Sequence, residues 1–186
     1  MAKWEYAVIT EKGLLLQNKV ATGGTMAFTK VKTGSGSVEP VLLIQQTDVT
    51  GMVQEFGFAN KPIKKSGGEV MLYAVIDNED LDKGYNCYQL GVYATDPDDG
   101  EILYAILQAK NPLEVPSSQE LVGWSAEFNI ALKYGNATNI TVNIDAAGSM
   151  TESMAEARFM KLVSYNGELW QFGQDENGIF LWDGND

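Results

Sequence analysis

Residues Tyr88 to Leu107 constrain the fold of this chain more than any other segment. Two apolar runs flank the sequence Asp96-Pro97-Asp98-Asp99-Gly100. Pro97 presets one backbone angle, aspartate side chains bond back to turn amides, and Gly100 tolerates a positive φ, so the segment reads as a β-hairpin. In the first run Leu90, Val92 and Ala94 share a face by strand parity. In the second, Ile102, Tyr104 and Ile106 share one face and Leu103, Ala105 and Leu107 the other. Apolar residues on both faces imply strands buried from both sides, so the hairpin belongs inside a layered β structure.

The remaining segments extend this picture. Thr10 is suited to cap a short helix, with Glu11 in its first turn, Leu14, Leu15, Leu16, Val20 and Ala21 along it, and Gly23-Gly24 ending it. Gly13 within that helix reads either as a close approach to the sheet or as a kinked start. From Thr25 to Lys32 the chain alternates, Met26, Phe28 and Lys30 on one side and Ala27, Thr29 and Val31 on the other. Gly34-Ser35-Gly36-Ser37 reads as a flexible loop and Val41–Ile44 as a short apolar run. Val53–Ala59 and Val70–Ile76 read as strands joined by a turn at Lys64–Gly68, with Pro62 placing the end of the first at a sheet edge or outside the sheet. Asn111–Ser118, with two prolines, reads as a rigid connection. Alternation from Trp124 to Leu132 marks a half-buried strand, and Gly135-Asn136 is expected to turn it into a partner strand through Ile140, Val142 and Ile144.

A boundary is expected at Ala146–Ser149, dividing a domain over 1–148 from an appendage over 149–186. The appendage reads as a short helix from Thr151 to Phe159, then a three-stranded meander turning at Asn166-Gly167 and Asn177-Gly178. The expected class is therefore mainly β (α+β): antiparallel sheets in a sandwich-like core, two short helices and a C-terminal three-stranded β-meander.

Composition narrows the chemistry. The 186 residues are 45% hydrophobic, enough to bury a sizeable core. No run is long and apolar enough to span a membrane, and Met1–Glu5 lacks a signal-peptide pattern. Thirteen basic against twenty-five acidic residues give a net charge of −12, which disfavours a polyphosphate partner. The sequence contains no histidine, so Ser-His-Asp and Cys-His catalysis and histidine-containing zinc sites are excluded. Cys87, the single cysteine, reads as a buried apolar residue in a chain suited to a reducing cytoplasm. Glu55, Glu101 and Glu127 read as solvent-facing strand residues, and no carboxylate pair stands out for acid–base catalysis. Gly34–Ser37 lacks the ending of a phosphate-binding loop, and the Asp96–Asp99 aspartates lack a calcium-ligand frame. The acidic run Asp77–Asp82 reads as a solubility feature. No metal, cofactor or catalytic residue is expected.

The constellation that remains is aromatic. Tyr165, Trp170, Phe172, Phe180 and Trp182 crowd the C-terminal meander. They read either as packing at a domain or subunit interface, which a meander this small needs for stability, or as a carbohydrate-stacking platform.

Two ordered segments carry a resemblance. Gln89-Leu90-Gly91-Val92-Tyr93-Ala94, the acidic Asp-Pro turn and Ile102-Leu103-Tyr104-Ala105 are similar to a hairpin of bacteriophage tail-fibre and baseplate proteins. Ile9-Thr10-Glu11-Lys12-Gly13, then Phe28-Thr29-Lys30 running into Gly34-Ser35-Gly36, resembles the opening of such fibre chains. The similarity spans roughly residues 6 to 110 and weakens to about 145. It implies a non-enzymatic structural component of a phage or prophage tail, attaching a fibre or receptor-binding element to the baseplate. It further implies other tail or baseplate proteins as partners, a homo-oligomer, a trimer by preference, and residence in the virion after cytoplasmic synthesis. The alternative reading is a soluble carbohydrate-binding β module that uses the C-terminal aromatics.

Overall fold

The structure, a computed structural model, describes residues 3–21, 24–59, 63–65, 67–133, 139–142, 162–163, 169–175 and 178–182. The fold is mainly β. Strand β1 (Lys3–Ile9) leads into helix α1 (Glu11–Val20), then β2 (Thr25–Gly34), a 3-10 helix (Pro40–Gln45), β3 (Met52–Phe56), β4 (Ile63–Lys65) and β5 (Glu69–Asp77). The long hairpin β6 (Tyr85–Asp96) and β7 (Gly100–Val115) follows, then β8 (Ser125–Lys133) and β9 (Asn139–Val142). Strands β10 (Leu162–Val163), β11 (Leu169–Asp175) and β12 (Gly178–Trp182) pair antiparallel with one another.

One six-stranded sheet runs β1-β7-β6-β2-β3 in antiparallel pairs, with β9 added parallel to β2, and a second runs β4-β5-β8. Their facing sides share one core. Val70, Leu72, Ala74 and Ile76 of β5 and Ile130 and Leu132 of β8 join Met26, Phe28, Leu90, Val92, Ala94, Ile102 and Tyr104 of the first sheet. Trp4 meets Phe128 edge to face at 5.4 Å, tying β1 to β8. The period of two in β5 and β8 places every second side chain in this core, which for β8 is the alternation the sequence predicts.

The hairpin forms with its turn at the aspartates. Asp96 Oδ1 accepts from the amides of Asp98 (2.8 Å) and Asp99 (3.1 Å), and Gly100 takes φ +77°. Both faces of the hairpin are buried, but not with the predicted partition. Val92 pairs with Ala105 while Tyr93 pairs with Leu103, so β7 carries an extra residue there. The bulge flips the parity beyond it: Ile106 joins Leu103, Tyr93, Leu43 and Val49 on the outer face, while Ala105 joins the main core. A similar shift between Phe28 and Val31 in β2 turns Val31, not Lys30, into the core.

Other expectations are corrected by the structure. Leu14 and Leu15 are exposed, because α1 buries only Gly13, Leu16 and Val20. Val41–Ile44 is a 3-10 helix opened by Pro40, with Leu43 alone buried. Lys64 and Lys65 lie in β4 and pair with Val70 and Glu69 of β5, so they belong to the strand and not to the turn. The connection at Asn111–Val115 is part of β7, which resumes pairing at Leu113 after an irregularity that absorbs Pro112. Strand β8 pairs with β5, and β9 does not close a hairpin on it. Instead β9 lies parallel to β2, beside the half of that strand which β3 leaves uncovered. The predicted helix over Thr151–Phe159 lies outside the described residues.

A strap over residues 35–51 covers the outer face of the first sheet. Ser35 N–H donates to Gly51 O and Gly36 N–H to Thr50 O, both at 2.9 Å, so this glycine-rich segment is pinned and not a free loop. Buried Gln89 donates to Gln108 Oε1 (2.8 Å) and Gln46 Oε1 (3.0 Å) and accepts from Thr50 N–H (2.7 Å). Gln108 in turn exchanges two hydrogen bonds with the Val38 backbone.

Candidate functional site

The segments quoted for the resemblance meet at Tyr104. Thr10 ends β1 and caps α1, its hydroxyl accepting from Gly13 N–H at 3.0 Å and donating to Leu103 O. The Thr10 amide donates to Tyr104 O at 3.0 Å. Phe28 meets the Tyr104 ring edge-on at 5.2 Å. The Tyr104 hydroxyl donates to Lys133 O and accepts from Gln17 Nε2, so one side chain links α1 and both sheets. Burial pushes the Tyr104 phenol up to about 12 and keeps it protonated.

The hairpin tip is likewise committed to structure. Lys19 Nζ lies 2.7 Å from Asp96 and 2.9 Å from Asp98, and Lys12 lies 3.0 Å from Asp99. Burial alone would raise the Asp96 pKa, but the Lys19 ammonium and the Asp98 and Asp99 amides together hold it below its usual value. On the neighbouring strands Lys30 bridges Glu55 (3.1 Å) and Glu101 (3.4 Å).

Cys87 is fully buried on β6, and burial pushes its thiol up to about 12, so it holds no reactive thiolate near neutral pH. Thiol-specific reagents are expected to leave the native protein unmodified over hours and to label it fully in denaturant. Rapid native labelling, read by mass spectrometry, would show Cys87 accessible.

Of the aromatic residues singled out above, Tyr165 lies outside the described residues. Trp170 and Phe172 lie on β11 and Phe180 and Trp182 on β12, with Phe172 opposite Leu181, Gly173 opposite Phe180 and Gln171 opposite Trp182. Their side chains lie outside the described part of the structure.

A different surface has the form of a binding site. At the end of the sandwich where β5 stops, the loop after Asp77 and the loop over 116–124 are held together by Asn78. This amide, 2% exposed, donates to the carbonyls of Ser117 (3.0 Å), Leu121 (2.7 Å) and Pro116 (3.2 Å). Ser118 N–H closes the junction on Leu81 O. Two clefts are lined by residues of these loops. One, of about 550 Å³, is bounded by Lys83–Asn86, Glu114–Pro116 and Trp124, with the exposed Leu121 at its rim. The other, of about 470 Å³, lies between β3 and Asp77–Leu81. Reading Asp77–Asp82 as a solubility run missed this junction. A signal was present: Val70, Leu72, Ala74 and Ile76 point inward, and the same parity continues to Asn78.

Among the described residues no three acidic or cysteine side chains converge as a metal site, and no helix is long and apolar enough to cross a membrane. No protein-family model, curated protein or solved structure matches the chain.

Proposed function

We propose that this chain is a non-enzymatic structural component of a phage or prophage tail, one that attaches a fibre or receptor-binding element to the baseplate. The observation that carries the reading is the junction at Tyr104. The Ile9-Thr10 opening, the Phe28 strand and the Leu103-Tyr104 strand are the segments similar to tail-fibre chains, and they pack on one another as a single unit. Their polar groups are spent on capping, turn formation and ion pairing, which suits a scaffold more than a catalyst.

The composition of tail particles tests this reading. Particles purified after induction from the encoding bacterium are expected to contain the chain at a fixed ratio to the other tail proteins. A trimer in light scattering of the isolated protein is the expected solution state. Intact tails that carry their other components but lack this chain would overturn the reading.

A further inference from the structure

We propose that the cleft bounded by Trp124, Lys83–Asn86 and Glu114–Pro116 binds a neutral saccharide, with one pyranose ring stacked on the Trp124 indole. The first support is Trp124 itself. Its side chain packs on the main core, stays half-buried and lines the cleft. Its backbone is fixed as well, since the Trp124 carbonyl accepts the Asn78 amide at 3.3 Å. Among the described residues the indole Nε1–H has no hydrogen-bond partner. The cleft is thus offered a rigid aromatic surface with an uncommitted donor at its edge.

The second support is a pair of polar side chains in the same cleft. Asn86 of β6 and Glu114 of β7 are directly opposed in the antiparallel ladder, so their side chains emerge side by side on one face. Both are exposed and both line the cleft. Neither side chain bonds another described residue. The amide donates and accepts while the carboxylate only accepts, which matches hydroxyls that do both around the rim of a pyranose ring. The C–H face of such a ring is apolar and flat, and an indole covers it.

Charge argues for a neutral ligand. The Glu120 carboxylate is already engaged by the Ser117 amide at 3.0 Å, which leaves Lys83 and Glu114 as one free charge of each sign in the lining. An ion of either sign gains little from that balance, and the net charge of −12 repels anions further.

The rim is built before any ligand arrives. Ser117 Oγ accepts the Glu120 amide at 3.2 Å while Glu120 accepts the Ser117 amide, a reciprocal cap that fixes the loop beside Trp124. Asn78 ties the same loop down through the carbonyls of Ser117 and Leu121. At about 550 Å³ the cleft has the size of a small-ligand site, and its fixed walls limit the ordering cost of binding.

The experiment is a titration of isotope-labelled protein, followed by amide chemical shifts. The probes are maltose, lactose, chitobiose and α-linked mannobiose, with D-glucitol as the control that carries hydroxyls but no ring face. At least one disaccharide is expected to give saturable shifts confined to 83–86 and 114–124, and glucitol none. Affinity should fall about tenfold or more in Trp124→Leu. No saturation with any of the four, shifts centred on 169–182, or unchanged affinity in Trp124→Leu would overturn the assignment. Should that variant fail to fold, the Asn86→Ala/Glu114→Ala double variant, at two exposed positions, gives the same comparison. The site goes beyond the tail reading and does not rest on it. Particle composition tests that reading separately, so either proposal can fail while the other stands.

Discussion

Gly13→Ala is expected to destabilise the protein by about 2–3 kcal/mol, although alanine favours an isolated helix over glycine by about 1 kcal/mol. The reason is contact with backbone. A Cβ at Gly13 would lie 2.1 Å from the Tyr104 carbonyl oxygen and 2.8 Å from Ile9 Cγ2. Neither the β7 ladder nor the first turn of α1 can move aside without loosening the other, because Thr10 bonds both. Urea unfolding should show a lower midpoint with an unchanged slope. A midpoint at or above wild type would mean that α1 sits farther from the sheet than the structure places it.

The second large effect is expected at Gln89. Replacement by leucine keeps the volume but removes the central amide of the strap clamp, leaving the Thr50 amide and Gln108 Oε1 each without a partner they now have. Stranding the Thr50 amide costs about 1–3 kcal/mol and the lost bonds to Gln108, which keeps the Val38 amide, and Gln46 add about 1 kcal/mol, so Gln89→Leu should lose about 3 kcal/mol. Hydrogen exchange distinguishes a released strap from general weakening. The Thr50 and Val38 amides should exchange faster than the decline in global stability explains, while those of β6 and β7 follow the global value. Uniform acceleration across the molecule would show that the glutamines do not act as a local clamp.

The physical limits of pattern reading are visible in these same elements. The Asp96–Gly100 turn was legible because its chemistry is local: two amides bonded to one carboxylate and a glycine at positive φ. The Thr10 cap was legible for the same reason. The inward alternation of β8 was readable because that strand keeps strict parity over its length, whereas the unbroken apolar run of β5 announced a strand without saying which face is inward. Parity failed at the two bulges beside Val92–Ala94, where one inserted residue exchanges faces without altering composition. Partner choice was not legible either. Alternation at Ile140 and Val142 announces a strand, but β2 became its neighbour because β3 covers only residues 31–34 of that edge. In the cleft beside β3 the acids were visible as a run. What escaped was that Asp77 is buried, since that depends on how β3 and β5 are brought together.

The strand order also bears on how the chain is made. Strand β1 finds its partner only at Ala105–Asn111, and β2 completes its edge only when Asn139 arrives. Non-local pairing of this kind gives folding in roughly milliseconds to seconds once the chain is complete. During synthesis the delay is longer. At about 5–20 residues per second, β1 waits several seconds, with its hydrogen-bonding edge open, before β7 exists. Crowded polysomes would then favour pairing between neighbouring nascent chains, and slower translation would increase that risk. Among the described strands, β1 waits longest for its first partner.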